Sequence, residues 1–302
     1  MAKLILGSHT LSAMFHVDKE KPLRSLMKET ARRGGRLIEI PFILCTIPWE
    51  HIAKMAKELG MPEISLCLFW PKKPDGTSVC GDPLGGDAEV ARCFGTLAQI
   101  FDAVAKLRAG GITVRFIDGP SWGMMGHDYE LPEDDLRFKV VRFLQKAGDL
   151  CAKHDLNLAV EQLRRDPEDK VVGGTMNMIR ILHYVNRPNV KMHLDLFHCI
   201  ENSEDPTDMI RLGKSYIGYL HLHGKGRRAP GTYRDGVNWP QAAEYIRDIY
   251  SGVELIPALP EPFGKRTCEE NPDLGKGLPP MLPLTEYLDQ TFATFRKLGF
   301  LL

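Results

Sequence analysis

Four places in the chain set a proton-handling or metal-binding side chain at the end of a short apolar run. Leu158-Ala159-Val160 leads into Glu161, and Val190–Leu194 leads into Asp195, with His198 three residues on. Tyr219-Leu220-His221-Leu222 leads into His223, and Glu261 follows a last apolar run and Pro260. Carboxylates and imidazoles transfer protons near neutral pH and bind divalent ions. Taken singly, each carboxylate also reads as a helix N-cap or a solvated loop residue. His193 and His221, inside their runs, also read as satisfied core or barrel-wall histidines. The coincidence carries the weight. If the four runs are neighbouring strands, three carboxylates and one imidazole meet around one axis, where they repel or are desolvated unless a cation stands between them. Three oxygen ligands and one nitrogen suit Mn²⁺, Mg²⁺ or Co²⁺ better than a thiolate-preferring ion.

The elements that must position these residues alternate along the chain. Strand-like runs fall at Lys3–Gly7, Arg36–Ile40, Glu63–Leu68, Thr113–Ile117, Asn157–Val160, Val190–Leu194, Ile217–Leu222 and Val253–Ile256. Each is too short for a helix. Amphipathic segments lie between them, at Lys19–Arg33, Asp87–Ala109, Pro132–His154, Pro240–Tyr250 and Leu284–Leu298. Gly34-Gly35, Gly110-Gly111 and Gly252 stand where a helix must give way to a strand. Strict alternation means parallel strands with helical crossovers. Eight units in 302 residues predict a closed (β/α)₈ TIM barrel, one domain over residues 1–302. No Gly-x-Gly-x-x-Gly follows the first strand, which argues against a dinucleotide fold. In such a barrel the chemistry sits at the C-terminal strand ends. Pro257–Pro283, rich in Pro and Gly, is expected to loop over that mouth.

Composition narrows the function. With 39 basic and 39 acidic residues the net charge is zero, so no general field attracts nucleic acid. No apolar run reaches the ~18 residues of a membrane span, and Met1–Thr10 lacks the apolar core of a secretory signal. Seven scattered cysteines, with no Cys-x-x-Cys, fit a reducing cytoplasm rather than a disulfide scaffold.

On these stretches the sequence resembles a known family: Val160-Glu161-Gln162-Leu163, Asp195-Leu196-Phe197-His198, His221-Leu222-His223, Arg227-Arg228-Ala229-Pro230-Gly231 and Glu261-Pro262-Phe263. It looks like the ketose 3-epimerases of the D-tagatose/D-psicose 3-epimerase group, within the xylose-isomerase-like barrels. Weaker similarity touches Ser65-Leu66-Cys67, Asp82-Pro83, and Gly119-Pro120 with Trp122. The resemblance implies one divalent metal ion held by Glu161, Asp195, His223 and Glu261. It makes Glu161 and Glu261 the catalytic acid/base pair, and places His198, Arg227, Trp122 and Cys67 against the sugar. It also implies a homo-oligomer, dimer or tetramer. The physical reading agrees: epimerising a carbon beside a ketone needs a proton removed on one face and returned on the other, with the ion polarising the carbonyl. His198 and Arg227 can donate hydrogen bonds to the developing charge.

The departures fall around the substrate. Only Gly224-Lys225-Gly226 separates His223 from Arg227, where the family has a longer stretch. Arg164-Arg165-Asp166-Pro167-Glu168 replaces a family Asn-Arg-Phe-Glu-like run, leaving Glu168 as either a substitute carboxylate or a helix-start residue. Phe15, Phe69, Trp70 and Trp122 are candidates for an apolar wall, and His9 and Glu39 for inward-facing strand residues. Two other chemistries share such a site or barrel. One is a lyase eliminating a group from a 3-keto glycoside. The other is an endonuclease IV-like phosphodiesterase, which needs more strand-end histidines than this chain offers.

Overall fold

The fold was determined as a computed structural model, which describes residues 3–9, 20–68, 79–120, 133–165, 173–249, 255–259 and 282–300. The strands are β1 Lys3–His9, β2 Leu37–Pro41, β3 Glu63–Cys67, β4 Phe116–Pro120, β5 Asn157–Glu161, β6 Val190–Asp195, β7 Ile217–His221 and β8 Leu255–Leu259. They pair in chain order, all parallel, and β8 returns to β1 to close the barrel.

Helices cover the outside. They are α1 Glu20–Arg32, α2 Trp49–Glu58, α3 Asp87–Ala109, α4 Glu133–Ala152, α5 Thr175–Val185, α6 Leu196–Glu201, α7 Pro206–Gly213, α8 Trp239–Ile249 and α9 Leu284–Lys297. In α3 the buried residues Cys93, Leu97, Ile100, Val104 and Leu107 recur at helical spacing, forming the stripe that packs on the sheet. Gly34 and Gly111, at φ of 89° and 84°, turn the chain out of α1 and α3 in a conformation that costs glycine little.

Strand positions alternate between two environments. One set packs outward into the large apolar layer shared with the helices, through Ile38, Ile40, Ile64, Leu66, Ile117, Leu158, Val160, Met192, Leu194 and Leu220. The other set faces the lumen. Its apolar members are the separate small cluster Leu37, Phe116, Ala159 and Tyr219. Two residues further along the same strands the lumen becomes polar, with Glu39, Asp118, Glu161 and His221.

Some boundaries differ from the sequence reading. The fourth strand runs Phe116–Pro120 rather than Thr113–Ile117, because Thr113 makes only an isolated bridge to Glu63. The eighth is Leu255–Leu259, so Pro257 lies inside a strand and pairs beside Ile5 instead of opening a loop. Periodicity missed α2, α5, α6 and α7. At six and eight residues, α6 and α7 are too short to show a clear repeat. Among the described residues no helix is long and apolar enough to cross a membrane.

Candidate active site

The register of β5, β6 and β7 brings the strand-end residues together. Glu161 pairs beside His193, and Asp195 beside His221. His223 lies just beyond the end of β7. The strands of a barrel tilt and step relative to one another, which carries residues from different rows to one place. Asp195, His193 and His223 are fully buried, and Glu161, His198 and His221 nearly so.

Asp195 is the centre of the cluster. Its Oδ1 lies 3.1 Å from His223 Nε2, and its Oδ2 lies 3.6 Å from His198 Nε2 and 3.8 Å from His221 Nδ1. Glu161 Oε1 lies 3.6 Å from the same His198 nitrogen and 3.9 Å from the same His221 nitrogen. Separations of 3.6–3.9 Å are too long for direct hydrogen bonds. They are of the order of the spacing between ligands of one ion bound at ~2.0–2.6 Å.

The backbone holds Asp195 firmly. Gln162, next to Glu161, accepts from Asp195 N at 3.0 Å and donates to Asp195 O at 2.9 Å, tying the ends of β5 and β6. Asp195 Oδ1 also accepts from Phe197 N at 2.7 Å, so the side chain caps α6. That cap sets His198 on the first turn of α6, facing back to Glu161. The N-cap and ligand readings of Asp195 therefore do not exclude one another.

Arg227 enters from the turn Lys225–Arg227. Its Nη1 is 3.5 Å from Asp195 Oδ2 and 3.4 Å from His223 Nε2, and its guanidinium lies 4.3 Å over the Phe197 ring. The short Gly224-Lys225-Gly226 link has a physical reason. A Cβ on Gly224 would stand 2.3 Å from Asp235 Cβ, and Gly226 has φ 61°. Asp235 pins this loop by accepting from Gly231 N, Val237 N and Trp239 Nε1.

Burial alone would raise the Asp195 carboxyl. Its electrostatic interactions with His223, His198 and Arg227 outweigh that and hold the group well below the usual carboxylate range. Asp118, in the lumen on β4, goes the other way. Complete burial, then the charge of Glu39, push it well above that range. Cys67, at the end of β3, is buried beside Asp118 and Glu39, their polar atoms all within 4.8 Å of one another. The sequence reading missed Asp118, although its position just after the expected strand Thr113–Ile117 and just before Gly119-Pro120 was a usable signal. His221, whose reading had been left open, faces the cluster. Glu261, Trp122 and Glu168 lie outside the described residues, as do Phe15, Phe69 and Trp70, and the His9 side chain is not described.

The donor set of two carboxylates with clustered imidazole nitrogens fits a hard-to-borderline divalent ion. Carboxylates and imidazoles can also exchange protons with a substrate in the mouth. The chain can be compared with known proteins on this basis. The D-psicose 3-epimerase of Enterocloster bolteae is 29% identical over 216 residues, 70% of this chain and 65% of that protein. The chain thus spans just under two thirds of that relative's length. The structure of L-ribulose 3-epimerase superposes with a TM-score of 0.75 at 20% identity, covering 99% of this chain and 94% of that one. That of the D-psicose 3-epimerase with D-tagatose from Clostridium cellulolyticum H10 gives 0.72 at 17% identity, covering 97% of each. These likenesses show a shared fold. The xylose isomerase-like TIM barrel family matches residues 49–277, more than half of the chain, and the protein belongs to that family.

Proposed function

We propose that the chain is one (β/α)₈ domain that epimerises a free ketose or a related keto sugar at C3, with a divalent ion held by Glu161, Asp195, His223 and Glu261. The observation that carries this reading is the convergence of Glu161 and Asp195 on the His198 nitrogen in a buried barrel mouth, 3.6 Å from each. The names of the relatives support the substrate class.

When bound, the ion supplies Lewis-acid polarisation of the sugar carbonyl. The protein's side chains do the rest. One carboxylate of the pair Glu161 and Glu261 takes the proton from C3, and the bonding electrons move into a C2–C3 double bond as negative charge develops on the C2 oxygen. The other carboxylate, protonated at the start, returns a proton to the opposite face of C3. Arg227 and His198 donate hydrogen bonds to the oxygen carrying the charge. The two glutamates finish with their protons exchanged, so the reverse epimerisation starts from the product state.

The test is isotopic. Ketohexoses and ketopentoses incubated with the protein and Mn²⁺ in deuterated water should gain deuterium at C3 of the inverted product. Glu161→Gln and Glu261→Gln should each slow turnover by ~10²–10⁴-fold. Label at C1 or C2 indicates aldose–ketose isomerisation instead, and loss of the group β to the carbonyl of a 3-keto glycoside indicates a lyase. No exchange across free, phosphorylated and 3-keto sugars removes the proton-abstraction reading altogether.

A further inference from the structure

Phe197 serves the candidate site twice, once through its backbone and once through its ring. It lies in the first turn of α6 and is 3% exposed. Its N–H donates to Asp195 Oδ1 at 2.7 Å. Its ring carries the Arg227 guanidinium, whose central carbon lies 4.3 Å from the ring centroid. The same ring meets His223 and His198 at 65° and 67°, with centroids 6.0 and 5.3 Å away. The contacts of Arg227 Nη1, 3.5 Å to Asp195 Oδ2 and 3.4 Å to His223 Nε2, are longer than an ordinary hydrogen bond. They orient the guanidinium weakly, and the ring face adds a second hold. The cation–π attraction strengthens as its partners leave water. Here Phe197 is buried and the Arg227 side chain is only 11% exposed.

We propose that Phe197 is a positioning residue for Arg227: its ring holds the guanidinium beside Asp195 and His223, where it can meet the charge that develops on the sugar oxygen. This rests on the reading of Arg227 as a donor to that oxygen. A ring face grips a guanidinium without using any N–H group, whereas a bidentate carboxylate consumes two. Arginine suits such a seat, because its planar cation is weakly hydrated and stacks on aromatic faces. Donors held in place beforehand need no reorganisation as the charge appears. The two services of Phe197 can be separated. Any residue but proline at this position has an N–H for Asp195, but only an aromatic ring can carry Arg227 in this way.

The experiment uses full-length protein loaded with Mn²⁺ and follows C3 deuterium exchange on ketohexoses and ketopentoses, with circular dichroism as the check on folding. Phe197→Leu removes the ring face and keeps an apolar side chain. It should lower kcat by ~3–30-fold, the range that a cation–π contact supplies. KM should change little, because the lost interaction is made in the transition state. Mn²⁺ affinity, read from electron paramagnetic resonance of free Mn²⁺, should stay at the wild-type value, since the N–H to Asp195 remains. In an Arg227→Ala background the same change should lower kcat no further. Phe197→Met fills the space with a flexible side chain, so it supplies the measurement should Phe197→Leu not fold. A purely structural role would give additive losses in the two backgrounds. Active wild-type protein with Phe197 variants of equal kcat overturns this inference and leaves the epimerase reading standing. Additive losses, or Mn²⁺ affinity lost in step with turnover, also overturn it. Wild-type protein that exchanges no label on any of these sugars overturns the epimerase reading itself, and this inference with it.

Discussion

His223 Nε2 lies 3.1 Å from Asp195 Oδ1, and both residues are fully buried. Two ligands of one ion held at about 2.1 Å and at a right angle stand about 3.0 Å apart. Asp195→Asn should therefore abolish tight Mn²⁺ binding, beyond the ~10–100-fold expected for an outer partner. The asparagine oxygen can still accept from Phe197 N, so α6 should stay capped and the fold intact. Calorimetric titration showing wild-type affinity in the variant would falsify the assignment. Chelation should likewise lower the melting temperature of the wild type, since an ion at a hundredfold excess over its Kd stabilises by about 2.7 kcal/mol. Asp195→Asn should melt at one temperature with or without chelator.

The buried Asp118 predicts a pH dependence of stability. Its folded pKa is raised, by burial first and by Glu39 second. The folded chain therefore holds a proton that the unfolded chain releases above about pH 4. Stability from this group is fully present below that pH and falls as pH rises toward the raised folded value. The slope is at most about 1.4 kcal/mol per pH unit. Asp118→Asn cannot ionise, so its stability relative to wild type should climb between pH 4.5 and pH 8. Urea unfolding at the two pH values checks this. Parallel pH profiles for the two proteins would mean that Asp118 is ionised in the folded state.

Much of the barrel was legible because its strands are short apolar runs with fixed partners. Five strands begin at the residue the pattern indicates, among them Glu63, Asn157 and Val190. The lumen was legible only in part: Glu39 reads as an inward-facing residue and His193 and His221 as barrel-wall histidines, but Asp118 was missed, and a hydrophobic pattern scores all four as interruptions. Their meaning depends on partners from strands far apart in sequence, such as Glu39 with Tyr219, 180 residues away. Asp195 and His198 were legible as a pair because three residues is one helical turn, and α6 begins between them. The geometry of Arg227 was not legible, since it depends on the backbone of a glycine-rich turn.

The opposite end of the barrel provides a control. Glu63, at the start of β3, takes two hydrogen bonds from Arg115, at 2.9 and 2.5 Å, and its side chain is only 6% exposed. The N-terminal end of such a barrel serves stability rather than chemistry. Arg115→Ala leaves the glutamate without its partner, which costs ~3–5 kcal/mol for a fully buried pair. The partial exposure of Arg115 reduces that to about 2 kcal/mol. Denaturant unfolding should show this loss while Mn²⁺ affinity and sugar turnover per folded molecule stay at wild-type levels. A changed metal affinity would mean that the two ends of the barrel are not independent.

Arg227 offers a way to separate strain from function. Its φ is 55°, a left-handed conformation that costs a residue with a Cβ roughly 1–2 kcal/mol. Such strain persists where the surroundings enforce it, and it gathers at functional sites. Here the enforcing contacts are the Asp235-pinned loop and the stack of the guanidinium on Phe197. Arg227→Ala and Arg227→Gly both delete the guanidinium, but only glycine adopts this backbone freely. The glycine variant should therefore be the more stable of the two by about 1 kcal/mol, part of the gain being offset by its looser unfolded chain. Both should lose sugar turnover to the same extent, because both lack the donor beside Asp195. Unfolding curves and kinetics on the two purified variants give the answer. Equal stabilities would show that the turn relaxes once the arginine is gone. A glycine variant that kept its turnover would remove Arg227 from the substrate site.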